Sequence, residues 1–386
     1  MISQRAASKG VRLRRGYALC AWAVKLGKRL RQPARHGPPA SMIISTPSAS
    51  LQKKTACFVL ALAWASTAHA WVTIDLPDLT SSPEHGGALA FSHLSDGRLI
   101  YGNNNALFLQ NSFGSSSFTT FSTPPDVDPS FVTVLNDTAA VVGAGQFVNT
   151  PVYQFNPSNP STPNYTSNVT LQNFSAAPAS ATSFYVAGAN NADGNNAVSY
   201  VTLGGTQQLV VDPAGQFSAG LAVDHGGNVY VGDNDNNSVY EFTAAQMLNA
   251  VLHSSPLTFS NGLLLHTFDA DVVGSLAVDA QGRIWAAGFG APGLFWFNPA
   301  NNNTGLLNPQ DTADNPSSAY TLGTFSANGT DYVSYLWQSD FSNGSSLVYG
   351  FDTVQNVPEP ATSALWAAAA AGAAVWWRRR RQPAQA

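Results

Sequence analysis

The run Asp233-Asn234-Asp235-Asn236-Asn237 is the stretch of this chain whose residue types best suit a cation. Alternating side-chain oxygens are what Ca²⁺ takes as ligands. The spacing begins like an EF-hand loop, but that loop needs Gly at its sixth position and Glu at its twelfth. Ser238 and Ala244 stand there instead. The same residues form hairpin turns, because Asn and Asp tolerate left-handed backbone. The sequence favours the turn, and it assigns no metal and no cofactor. Asp233 and Asp235 are the weak candidate ligands, with Ca²⁺ or another divalent cation as their ion. His85 beside Glu84, His93, His225, His253 and His266 are scattered, with no HExxH or paired spacing. Each reads as a satisfied loop or turn residue. No nucleophile elbow, phosphate-binding loop or dinucleotide fingerprint is present, so no catalytic residue is assigned.

Charge shows what holds these residues. Ten of the 18 Lys and Arg lie in residues 1–41, two are Lys53 and Lys54, and four are Arg378, Arg379, Arg380 and Arg381. Only Arg98 and Arg283 fall within 71–356, against 21 Asp and Glu, a net of −19. An acidic body of this kind repels nucleic acid and anionic lipid. Both cysteines, Cys20 and Cys57, precede Trp71, so the body has no disulfide and no thiolate metal site.

The ends read as targeting segments. From Met42, Lys53 and Lys54 precede an apolar run, Thr55 to Thr67, and the small residues Ala68 and Ala70 precede Trp71. That order is a secretory signal peptide cleaved before Trp71. Residues 1–41 then read as an over-extended gene start, and 42–70 as the signal. At the other end Ala361 to Trp377 is uncharged and Ala-rich, about 25 Å long as a helix, and ends on Arg378 to Arg381. It reads as one C-terminal transmembrane helix with a cytoplasmic stop-transfer cluster. Export by the Sec route, anchoring in the inner membrane and later arrival at the cell surface are the expected path.

Val357, Pro358, Glu359 and Pro360, then the apolar run, then the Arg cluster, resemble a PEP-CTERM sorting signal over residues 357–382. The resemblance implies an exosortase-type processing enzyme as partner, and a polysaccharide or envelope protein as possible ligand in exopolysaccharide or biofilm.

Between the ends, short alternating apolar runs bounded by Gly, Asn and Asp read as many short strands. One helix is expected near Thr243 to Leu252, with Thr243 as its cap. "GLAVDHGGNVYVGDNDNNSVYEF" from Gly220, "GSLAVDAQGRIWAAGFGAPGLFWF" from Gly274 and "GALAFSHLSDGRLIYGNNNALFLQ" from Gly87 repeat one pattern, with weaker copies from Phe131, Ser175 and Ala319. Anchors at Gly102, Gly143, Gly188, Gly232, Ala287 and Leu336 are 41, 45, 44, 55 and 49 residues apart. A period near 45 residues with three or four strands is that of a propeller blade. The chain is therefore expected to be all-β, a single six-bladed propeller over 71–356. A seven-bladed ring and a β-sandwich are the competing architectures. Trp71 onward is expected to pair with the last blade. Gly220 and Gly274, Val223 and Val278, and Tyr230 and Trp285 are expected to be equivalent.

The blade text is similar to NHL-type and gluconolactonase-like propellers. In the latter a divalent metal is held by carboxylates and Asn from different blades, a role that Glu84, Asp224 or Asp279 would take here. Two functions follow: an exported, matrix-targeted binding or structural protein, or a metal-dependent lactonase-like or lyase-like enzyme. The sequence leans towards the first.

Overall fold

The computed structural model describes residues 72–354, apart from 77–89, 104–105, 123–128, 145–149, 160–163, 170, 191–195, 213–219, 270–272, 289–292, 308–317 and 339–346. The signal segment with Ala68, Ala70 and Trp71, the motif Val357 to Pro360, the apolar run and Arg378 to Arg381 lie outside the described residues, as do Glu84 and His85.

Twenty-four strands form six four-stranded antiparallel sheets. The first strand, β1 (Val72–Asp75), belongs to the last sheet. Blade 1 is β2 (Phe91–His93), β3 (Leu99–Asn103), β4 (Ala106–Gln110) and β5 (Phe118–Ser122). Blade 2 is β6 (Pro129–Asn136), β7 (Ala139–Ala144), β8 (Thr150–Phe155) and β9 (Asn164–Val169). Blade 3 is β10 (Leu171–Ser180), β11 (Ser183–Asn190), β12 (Asn196–Thr202) and β13 (Gln207–Val211). Blade 4 is β14 (Leu221–Val223), β15 (Val229–Asp233), β16 (Ser238–Phe242) and β17 (Leu263–Thr267), with helix α1 (Ala244–His253) between the last two. Blade 5 is β18 (Ser275–Val278), β19 (Ile284–Ala287), β20 (Leu294–Asn298) and β21 (Asn303–Leu307). Blade 6 is β22 (Ser318–Ala327), β23 (Thr330–Gln338) and β24 (Leu347–Thr353), completed by β1.

The first strand of each sheet packs against the first strand of the next, all the way round from β2 to β22 and back to β2. This is a six-bladed propeller; neither the sandwich nor the seven-bladed ring forms. β1 pairs antiparallel with β24, Val72 opposite Phe351 and Ile74 opposite Tyr349. The two chain ends thus share a blade, as expected, and the ring is closed by hydrogen bonds.

Two turn types join the first and second strands, and this explains why some repeats read strongly and others weakly. In blades 1, 4 and 5 the inner strand is short and a longer turn follows. Leu94, Asp224 and Asp279 each donate an amide to the carbonyl four residues on, at Arg98, Asn228 and Arg283. Gly97, Gly227 and Gly282 take φ of 84°, 79° and 75° in these turns, a region where a side chain is strained. In blades 2, 3 and 6 long inner strands end in two-residue turns at Asp137-Thr138, Ala181-Thr182 and Asn328-Gly329. Asn328 and Gly329 both have positive φ, as a primed hairpin turn requires.

The register corrects one expected equivalence. Leu221 pairs with Val231 and Leu276 with Ala286, so Gly220 corresponds to Ser275, and Gly274 lies one residue earlier. Gly220 is needed for another reason: a Cβ there would meet the Val273 carbonyl of blade 5 at 2.1 Å. Val223 with Val278, and Tyr230 with Trp285, correspond as expected. The 55-residue spacing between the fourth and fifth anchors is the insertion of α1. Thr243 and Gln246 form its capping box, and Ser254 ends it in a left-handed conformation.

Six apolar clusters fill the six seams between adjacent blades. Tyr230 faces blade 5, against Leu276, Ile284 and Phe297. Trp285 faces blade 6, against Leu322, Val333 and Tyr335, and is fully buried. Every sheet thereby buries both faces, which no single blade can do. Truncating Trp285 removes the largest buried side chain of its seam. Trp285→Ala should lower unfolding stability by about 3–5 kcal/mol, measured by urea denaturation monitored by circular dichroism.

Candidate functional site

Strand direction gives the ring two chemically different ends. Connections from second to third strand, and from the fourth strand to the next blade, meet at one end. First-to-second and third-to-fourth connections meet at the other, together with the start of β1 and the end of β24. Contacts between turns confirm that blades share this orientation. The Ser95 amide donates to Asp137 at 2.8 Å between blades 1 and 2, and Asn136 Nδ2 reaches the Ala181 carbonyl of blade 3.

The carboxylates sort by end. Asp212, Asp233, Asp235 and Asp269 belong to the end away from the chain termini. Neither Arg of the body joins them: Arg98 and Arg283 both lie in first-to-second-strand turns at the opposite end. This acidic end is the candidate functional site.

Of the sequence candidates, Asp233 and Asp235 do lie there, but as turn residues. Asp233 is buried at the end of β15. Its Oδ1 accepts from the amides of Asp235 at 3.1 Å and Asn236 at 3.4 Å, and its Oδ2 from Asn236 Nδ2 at 2.8 Å. Asn237 then takes φ 51° and the hairpin closes. With both oxygens bonded inwards, the loop is a hairpin and not a chelate.

Asp224 and Asp279 do not lie at the acidic end at all. They sit in the repeated turn at the opposite end, with every oxygen bonded. Asp224 accepts from the Asn228 amide and Nδ2 and from the Tyr230 hydroxyl, each at 2.9 Å. Asp279 accepts from the Arg283 amide at 2.9 Å, Arg283 Nε at 2.7 Å and Trp285 Nε1 at 2.8 Å. The structure therefore removes both from the role of metal ligand on a shared axis. The described inner-strand residues, which line the axis, include no Asp or Glu, and no His, Cys, Asp and Glu cluster among the described residues fits a metal.

The histidines correct the sequence reading in part. His225 is exposed in the blade 4 turn and His253 closes α1, bonding the Asn249 carbonyl at 3.0 Å. His93 and His266 are not turn residues. His266 lies in β17, stacked on Phe297 at 4.5 Å. His93 ends β2 inside the closure seam, stacked on Phe325 at 4.0 Å, with Nε2 2.7 Å from the Tyr349 hydroxyl. Desolvation in the seam drives its pKa down to about 3, so the imidazole is neutral.

Two arrangements went unseen in the sequence. Glu241 lies opposite Tyr230 in the β15–β16 pairing, and its carboxyl pKa is raised, first by burial and then by the charge of Asp224. The alternation of β16 was the available signal. Arg283 is buried between Trp285 and Trp296, 5.3 and 5.4 Å from the ring centres. Its Nη2 donates to the carbonyl of Val354, the last described residue, at 2.8 Å. An Asp-x-x-Gly-Arg-x-Trp spacing placed Arg283 and Trp285 near Asp279 but gave no hint of Val354.

No protein-family model matches the sequence, and neither does any curated protein. Solved structures do match. A luciferin-regenerating enzyme is 13% identical, with a TM-score of 0.51 over 74% of this chain and 96% of that one. A calcium-binding regucalcin from Agrobacterium tumefaciens is 11% identical, with a TM-score of 0.49 over 72% and 92%. A gluconolactonase-family structure is 13% identical, with a TM-score of 0.46 over 72% and 94%.

Two measurements check this geometry. Because His93 titrates near 6.5 when unfolded and near 3 when folded, only the unfolded state gains a proton between those values. Stability should therefore fall as pH drops from 6.5 towards 3, by up to about 1.4 kcal/mol per unit from this group. His93→Phe should flatten that slope in urea midpoints taken across the range. Arg283→Met strands the buried Asp279 carboxylate and should destabilise by about 3–5 kcal/mol. Arg283→Met with Asp279→Leu should recover part of that loss in the same assay.

At 13% identity, the likeness to the luciferin-regenerating enzyme is one of fold.

Proposed function

We propose that the chain is an exported six-bladed propeller that acts at its acidic end as a lactonase-like or lyase-like enzyme requiring a divalent cation. The observation that carries this reading is the separation of charge. Among the described residues, Asp212, Asp233, Asp235 and Asp269 belong to one end and both body arginines to the other. Such an end concentrates divalent cations and repels anionic ligands. A propeller uses side chains from several blades at one mouth, and the luciferin-regenerating enzyme and gluconolactonase-family neighbours share this ring type. Among the described residues no carboxylate set fits a cation.

Delivery is part of the proposal. The signal segment before Trp71 takes the chain out by the Sec route. Val357 to Pro360 and the run to Arg381 hold it in the inner membrane until an exosortase-type enzyme releases it to the surface. A second reading is a binding or structural protein of an extracellular matrix, recognising polysaccharide or an envelope protein. The full internal bonding of Asp224, Asp233 and Asp279 favours it.

One experiment separates them. The exported chain should bind Ca²⁺, Mn²⁺ or Zn²⁺ in calorimetric titration and hydrolyse members of a panel of aldonolactones, with hydrolysis lost on chelation. Retention on exopolysaccharide, with neither cation uptake nor turnover, would reverse the order of the two readings.

A further inference from the structure

The apolar surface of the ring is as unevenly placed as its charge. Six large hydrophobic residues are exposed among the described residues: Val72, Leu248, Leu252, Leu263, Leu264 and Leu306. Five of them lie towards the end where the chain starts and stops. Val72 opens β1, Leu263 and Leu264 open β17, and Leu248 and Leu252 lie on α1; Leu306 alone is near the acidic end.

Helix α1 carries the largest of these exposures. It buries Met247 and Ala250 against blade 3, where Gln208 Nε2 bonds the carbonyls of Ala250 and Val251. Its start is tied to the first-to-second-strand turn by Ala244 N to Asn228 Oδ1 at 3.1 Å, which fixes it at the terminus-bearing end. Leu248 and Leu252, one turn apart, are 57% and 69% exposed. The helix contains no Asp or Glu. The five carboxylates at the first-to-second-strand connections are all bonded, Asp96 and Asp279 to arginine, Asp224 to Tyr230, Asp137 to Ser95 and Asp331 to Ser326. Hydrogen bonds from Ser95, side chain first, hold the Asp137 carboxyl below its usual range.

The chain outside the described residues brings a membrane to this same end. Val354 is pinned by Arg283, and only residues 355–360 separate it from the apolar run that starts at Ala361. Fully extended, that linker reaches about 20–25 Å. With the run in a bilayer, the terminus-bearing end is held beside it and the acidic end faces away. We infer that the exposed face of α1, Leu248 and Leu252 with Leu263 and Leu264 of β17, is a docking surface for the bilayer interface that holds this chain's own C-terminal run. A helix with an apolar stripe and no acidic residue is suited to lie in that interface. The surface rests on the anchoring reading of the tail, and it turns the acidic mouth outwards while the protein waits for release.

The test uses the full chain with Cys20→Ser and Cys57→Ser, bound to phosphatidylcholine vesicles containing a bilayer-resident fluorescence quencher. Single Leu252→Cys and Asp235→Cys variants carry an environment-sensitive dye. The expected result is flotation with the vesicles, loss of fluorescence at position 252 and none at 235. Leu248→Ser with Leu263→Ser should abolish the loss at 252 without affecting flotation. Flotation with equal or no quenching at the two positions would overturn the docking surface and leave the anchor standing. Failure to float would overturn both.

Discussion

A sheet with two apolar faces cannot stand alone, and this requirement governs the whole molecule. Each blade here is such a sheet, so each needs a neighbour on both sides, and only a closed ring supplies them. With no cysteine in the body, closure rests on the pairing of β1 with β24 and on the apolar seam between blades 6 and 1. That seam gathers Phe91, Tyr101, Phe108, Phe325, Tyr349 and Phe351 around His93. The His93–Tyr349 contact joins residues 256 positions apart and places a polar pair inside an apolar seam. A buried pair of this kind fixes register, since any slip strands two polar groups.

The ring also sets what each end can do. A carboxylate in a first-to-second-strand turn is drawn into the turn itself, as Asp224 and Asp279 are, and becomes structural. At the other end Asp233 is likewise drawn into its own hairpin. The same alternation of strand direction sends both chain termini, both arginines and helix α1 to one end.

How far this was legible follows from where each signal is local. Blades 1, 4 and 5 announce themselves, because a longer turn with a positive-φ glycine and a following aromatic or aliphatic strand repeats within about fifteen residues. Blades 2, 3 and 6 replace that turn with two residues and lengthen the inner strand, which hides the repeat. Gly274 put the two repeats one residue out of step, because blade 5 carries its glycine one position before Ser275, which stands where blade 4 has Gly220. The turn nature of Asp233 was readable from composition. The burial of His93 and the bond from Arg283 to Val354 were not, since both join segments far apart in sequence. Asp212, Asp233, Asp235 and Asp269 were visible as residues, but strand direction was needed to see that they share an end.

Native-state hydrogen exchange of β1 tests the closed ring most directly. If closure by β1 holds the blades together, the amides of Val72 to Asp75 should open only with global unfolding, with the same protection as β24. Exchange of β1 at the rate of an open loop, with β24 still protected, would contradict the account.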